Sequence, residues 1–239
     1  VRRCLFLVPV ISACLLSSCA TVPFREADRD RSGAPRRREA DIPKTARAEA
    51  DRPANGRPEL SEQLAGRKQI VEYAESLIGR RDLAKINGWF RNDCSGFVIG
   101  VYRTLGYSVR FPPRPPSRQV SLLLHHILYR ERLTYSAPPP NIADVVFFSG
   151  TVDPGLNKVS HVGIVSSIGD DGTVRVLNYT SRGVTVLNMN LDRPSVHVDE
   201  KGAVQNDFLR KRLSAADNGK LLSGELFLCF GDLLTYCQL

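Results

Sequence analysis

The sequence predicts an α+β domain, with N-terminal helices packed on an antiparallel β-sheet. Three observations carry that prediction. Apolar residues recur at helical spacing between about residues 61 and 133. Short β-branched and aromatic runs bounded by turn residues follow from residue 143 onward. Helices first and consecutive strands afterwards is the order of an α+β domain, not of alternating βαβ units.

Taken in order, residues 1–18 read as a signal peptide. Arg2 and Arg3 precede an apolar run from Leu5 to Leu16 that is too short to span a bilayer. The run ends in Leu16-Ser17-Ser18-Cys19, which resembles the bacterial lipobox. That resemblance implies diacylglycerol on Cys19 and anchoring to a membrane through it, since each buried methylene adds about 0.8 kcal/mol of membrane affinity. Ala20 follows the cysteine where Asp would mark inner-membrane retention, so the expected place is the outer membrane, facing the periplasm. Residues 19–59 are rich in Arg, Asp, Glu, Ala and Pro, with Arg36-Arg37-Arg38 at the middle. Such a stretch buries too little apolar surface to offset its ordering entropy, and reads as a charged tether.

The globular part spans residues 60–239. Residues 61–78 carry a helical stripe of Leu64, Ile70, Val71, Ala74, Leu77 and Ile78, closed by Gly79. After a loop with Trp89 and Phe90, a second helix begins at Cys94 with Asp93 placed to cap it. Ser117–Leu133 reads as a third helix between Pro-rich loops. Strands are expected at Ala143–Ser149, His161–Ile168, Thr173–Asn178, Gly183–Leu187 and Leu226–Phe230, with Gly169-Asp170-Asp171-Gly172 as a hairpin loop. The net charge of +8 favours an anionic polymer or surface. No zinc-finger, P-loop or helix-turn-helix pattern is present, and basic and aromatic residues do not interleave, so nucleic acid is not an expected partner.

Cys94 is the residue whose position points to chemistry. A helix N-terminus offers unpaired backbone N–H groups and a positive dipole end, which lower a thiol pKa and supply oxyanion donors. The competing reading is a buried structural cysteine. A cysteine nucleophile needs a base and something to orient it. Of the four histidines, His125 and His126 fall in an amphipathic helix and His197 in a polar stretch, which leaves His161 at a strand start. If the hairpin pairs Ile168 with Thr173, Gly163 lies opposite Asn178, and His161 and Asn178 share a sheet face. Asn178 is then placed to orient the imidazole, as in Cys-His-Asn proteases. Cys229 and Cys237 are open to either reading, a local disulfide or buried free thiols.

The segments Asp93-Cys94-Ser95-Gly96-Phe97-Val98, Ala143-Asp144-Val145-Val146-Phe147-Phe148, Ser160-His161-Val162-Gly163-Ile164-Val165 and Val176-Leu177-Asn178-Tyr179 together resemble the NlpC/P60 family and its CHAP relatives, over roughly residues 64–190. The resemblance implies a papain-like fold. It also implies a cell-wall hydrolase that cleaves an amide bond in peptidoglycan stem peptides, with Cys94 as nucleophile, His161 as base and Asn178 as the third polar residue. Many members carry histidine at that third place, and the family's tyrosine-containing loop before the nucleophile is poorly matched by Ile78-Gly79-Arg80-Arg81. Asp93, Ser95 and Ser160 are the expected substrate contacts, and no metal or cofactor is expected. The alternatives are an envelope scaffold or wall-binding lipoprotein of weak activity, and a thiol acyltransferase.

Overall fold

The computed structural model describes residues 60–113, 117–152, 158–214, 217 and 219–239. The expected signal peptide, the expected lipid attachment at Cys19 and the expected charged tether lie outside the described residues. Among the described residues no helix is long and apolar enough to cross a membrane. The elements are α1 (Leu60–Glu75), α2 (Cys94–Thr104), α3 (Val120–Arg130), β1 (Thr134–Tyr135), β2 (Val145–Ser149), β3 (Val159–Ile168), β4 (Val174–Thr180), β5 (Gly183–Met189), α4 (Ser223–Leu226), β6 (Phe227–Gly231) and α5 (Leu233–Gln238). The strands form one antiparallel sheet in the order β1-β6-β2-β3-β4-β5. The α+β expectation is met.

Alternation along the strands divides the core in two. Val145 and Phe147 of β2, Val162 and Ile164 of β3 and Leu177 of β4 pack with the helices. Val146, Phe148, Val165, Val176 and Phe230 face the other way, beneath Leu191, Leu209 and Phe227. The segment after β5 thus covers the second face of the sheet. It also covers an edge that would otherwise invite strand pairing. Asp207 N donates to Asn188 O of β5 at 3.0 Å and the Asp207 carboxylate accepts from Asn188 N at 2.7 Å, while at the opposite end Gly79 N donates to Val184 O and Val184 N to Arg80 O (2.9 and 3.1 Å).

Helix α1 departs from its expected stripe in an instructive way. Ile70, Val71, Ala74 and Leu77 are buried, whereas Leu64 and Ile78 stand 48% and 50% exposed. The place on the buried face is taken instead by Arg67, whose guanidinium meets Asp144 at 2.6 Å, Asp232 at 2.9 Å and the Ile142 carbonyl at 3.0 Å. Asp144 also accepts from the Tyr135 hydroxyl and from Asn141 N (3.0 Å). This knot ties α1 to the start of β2 and, through the cap residue Asp232, to α5. Beside it, Ala143 holds a left-handed backbone (φ 66°), its carbonyl accepting from Tyr102 Oη at 2.5 Å.

The predicted pairing of Gly163 with Asn178 is found, although the hairpin end differs: Ile168 pairs with Val174, not Thr173, because the register slips between Val165 and Ser167. Gly163 itself is required for the strands to meet. A Cβ there would fall 2.5 Å from Val176 Cγ1 and 2.8 Å from the Leu177 carbonyl. Gly163→Ala is therefore expected to destabilise the fold by about 1–3 kcal/mol, the usual range for overpacking, measured as a lowered urea midpoint. An unchanged midpoint would mean that the two strands have slack.

Candidate active site

Helix α2 starts at Cys94 because Asp93 caps it. Asp93 Oδ1 accepts from Gly96 N at 2.7 Å and from Ser95 Oγ at 2.6 Å, and its Oδ2 accepts from Arg91 Nε at 3.1 Å. Burial works against the charge on Asp93, but these hydrogen bonds and the Arg91 guanidinium hold the carboxyl below the usual range. Asp93 and Ser95, expected as substrate contacts, are thus occupied with each other and with the first turn of the helix. Ahead of them, Asn92 organises the preceding loop, accepting from Leu83 N and Ala84 N (2.7 and 3.1 Å).

The Cys94 side chain packs against the helix-side core. Backbone N–H groups of Val162, Ser95 and Cys94 itself turn toward its sulfur, and Val162 is the neighbour of His161 on β3. The expected lowering of the thiol pKa is not found. Burial raises it above the ordinary 9.0, Asp93 adds to the rise, and the three N–H groups offset only part of it. The cap that builds the helix also places a carboxylate beside the thiol, which the dipole argument from sequence had left out.

His161 and Asn178 do meet. The imidazole Nε2 lies 3.1 Å from Asn178 Oδ1. Asn178 is 1% exposed, and its Nδ2 donates to the Thr185 carbonyl at 3.2 Å and reaches the Thr185 hydroxyl at 3.4 Å. A carbonyl only accepts, so it fixes the amide orientation and turns Oδ1 to the ring. Nε2 then carries the hydrogen, and Nδ1 keeps its lone pair, with no hydrogen-bond partner among the described residues. Thr185 was missed in the sequence reading. Its signal is its register opposite Asn178 in the β4–β5 ladder.

The remaining candidates fall elsewhere. Ser160 Oγ accepts from Thr151 N at 2.9 Å and lies 2.7 Å from Thr151 Oγ1. His125 packs edge-on against Phe147, and His197 Nδ1 is 2.6 Å from the Asn206 carbonyl. Cys229 and Cys237 are free thiols, both pushed up by burial. Among the described residues no group of three or more His, Cys, Asp or Glu is arranged to hold a metal ion. Beside the first turn of α2 lies a cleft of about 270 Å³ lined by Trp89, Arg91, Gly96, Ile99, Arg103 and Phe111, among others. The Arg103 guanidinium sits 5.1 Å over the Trp89 ring, which is itself 52% exposed.

Burial lowers the His161 pKa below the ordinary 6.5, and the bond to Asn178 raises it by less. The imidazole is therefore neutral at pH 7 and available as a base. As pH falls, the unfolded chain takes up this proton first, so the folded state loses stability below about pH 6.5. The acid limb of kcat/KM is expected below pH 6.5, and Asn178→Ala is expected to move it further toward acid. A limb above 6.5 would exclude His161 as the titrating group. Comparison with protein-family models, with curated proteins and with solved structures finds no match.

Proposed function

We propose that the chain is an exported, lipid-anchored cysteine peptidase or amidase of the NlpC/P60 type, with a papain-like fold, that cleaves an amide bond in peptidoglycan stem peptides. One observation carries the proposal: a thiol at a helix N-terminus lies against the backbone beside a histidine whose Nε2 is bonded to a buried, orientation-fixed asparagine.

Both groups rest neutral, so the thiol has to give up its proton for the sulfur to attack. His161 Nδ1 takes the thiol proton as the sulfur attacks the carbonyl carbon, and Asn178 holds the imidazolium that forms. The N–H groups near the sulfur stabilise the oxyanion, each contributing about 2.7–4 kcal/mol. The proton then passes to the leaving amine, and water, deprotonated by the same imidazole, releases the acyl group from sulfur. Arg91, Arg103 and the exposed Trp89 offer cationic and planar contacts to a peptide bearing carboxylates.

The experiment is to incubate the full chain with purified peptidoglycan and read released fragments by mass spectrometry. Fragments with new amine and carboxyl ends support hydrolysis and identify the bond, while fragments joined to an added amine indicate acyl transfer. The scaffold reading has one observation in its favour, the raised thiol pKa, and predicts sedimentation with the wall and no fragments at all.

A further inference from the structure

The cleft beside α2 lies on the far side of that helix from the thiol. Gly96, Ile99 and Arg103 line it, and their spacing of three and four residues puts them on one stripe of the helix. By the same spacing Cys94 falls on the opposite stripe with Val98 and Val101, in the helix-side core. The body of α2 therefore stands between the sulfur and any group held in the cleft.

The loop that walls the cleft is fixed in place. Asn87 donates from Nδ2 to Thr104 Oγ1 at 3.0 Å and accepts from Trp89 N at 2.9 Å. Phe90 is buried so close under α2 that a Cβ on Gly100 would stand 2.2 Å from its ring. With Phe90 turned in, Trp89 stays outside, and the Arg103 guanidinium lies over its ring. Arg103 Nη2 donates to the Val109 carbonyl at 2.7 Å, which leaves Nε and Nη1 without a partner among the described residues. Arg91 is the more occupied of the two guanidiniums, since its Nε is bonded to Asp93 and its Nη2 reaches Ser95 at 3.3 Å. Between them the floor is apolar, formed by the buried Ile99 and Leu123. No carboxylate lines the cleft among the described residues.

We propose that this cleft is a second binding subsite, for a peptide residue that carries a carboxylate on a short aliphatic stem. The stem lies on Ile99 and Leu123, and the carboxylate meets the planar fork of Arg103, held flat by Trp89. A volume of about 270 Å³ suits a single residue of that kind. The anionic, aliphatic character of the ligand follows from the cleft alone; its origin in a wall peptide rests on the function proposed above.

Trp89 is the only tryptophan in the chain, so its emission reports on the cleft directly. The full chain carrying Cys94→Ala, which leaves the peptide whole, is titrated with a peptidoglycan stem peptide that has free carboxylates and with the same peptide fully amidated. The free form is expected to change Trp89 emission saturably, and the amidated form to bind about 10- to 100-fold more weakly, the usual worth of a hydrogen bond to a charged group. Arg103→Met is expected to erase that preference. Arg103→Lys keeps the charge and a donor for the Val109 carbonyl, which protects the fold, but lacks the fork, and is expected to lose most of it. Arg212→Met removes the same charge from an exposed position on the C-terminal segment and is expected to keep it, which separates local recognition from the pull of the +8 net charge. Silent Trp89 emission, equal affinity for the two peptides, or a preference that survives in Arg103→Lys overturns the proposal. If the peptide moves Trp89 but the wild type releases no fragments, the hydrolase reading falls and the subsite stands; if fragments appear while Trp89 stays silent, the subsite falls alone.

Discussion

Cys94→Ala is expected to reduce release of peptidoglycan fragments by about 10⁴- to 10⁶-fold, the range seen when a residue of a hydrolytic triad is removed. In the proposed mechanism the sulfur is the attacking atom, and alanine leaves nothing there to attack the carbonyl carbon. His161→Ala should fall to nearly the same level. The double variant should be no worse than either single one, because the thiol, neutral at rest with its pKa raised above 9.0, depends on the imidazole for its proton transfer. The comparison is made at equal folded concentration with initial rates of fragment release. Activity within tenfold of wild type in Cys94→Ala would remove the cysteine mechanism, whatever the fate of the fold. A double variant with losses that simply add would place the two residues in separate steps.

Breaking the Arg67 knot is the largest expected effect on stability. Asp144 is 0% exposed, and its partner Arg67 lies 2.6 Å away. Arg67→Met preserves the aliphatic packing of the stem and leaves the Asp144 charge buried without compensation. Loss of one partner of a buried pair costs about 3–5 kcal/mol, a large part of the stability of an ordinary domain. Asp144→Asn in the same chain should recover part of that loss, since it removes the stranded charge while Tyr135 and Asn141 keep an oxygen to donate to. Urea unfolding of the four proteins in the cycle gives the coupling. An Arg67→Met variant within 1 kcal/mol of wild type would show that Asp144 reaches water or takes a proton without cost.

How much of this was legible beforehand varies with the kind of signal. The second helix and its cap were readable because Asp93 before an apolar helical stripe is a local pattern, and the local geometry is what forms. The Gly163–Asn178 register was readable on the site side of the hairpin but not at its tip, because nothing in the residues announces the slip between Val165 and Ser167. Arg67 was invisible to hydrophobic periodicity, which has no way to count a charged residue whose partners lie 75 and more positions away. The two-residue β1 and the short helices α4 and α5 were missed for a related reason: pieces of this length are held by their neighbours, not by propensity.

By itself the sequence determined the α+β class, the order of the major elements, the place of Cys94 at a helix N-terminus and the cross-strand pairing that brings Asn178 to His161. Each of these follows from spacing along the chain and from propensities acting over a few residues. Tertiary structure alone decided that β6 enters the sheet between β1 and β2, that Thr185 orients the Asn178 amide, and that burial holds both the thiol and the imidazole neutral. Those outcomes depend on which distant groups meet and on how much water their meeting excludes, and neither quantity is written in local order.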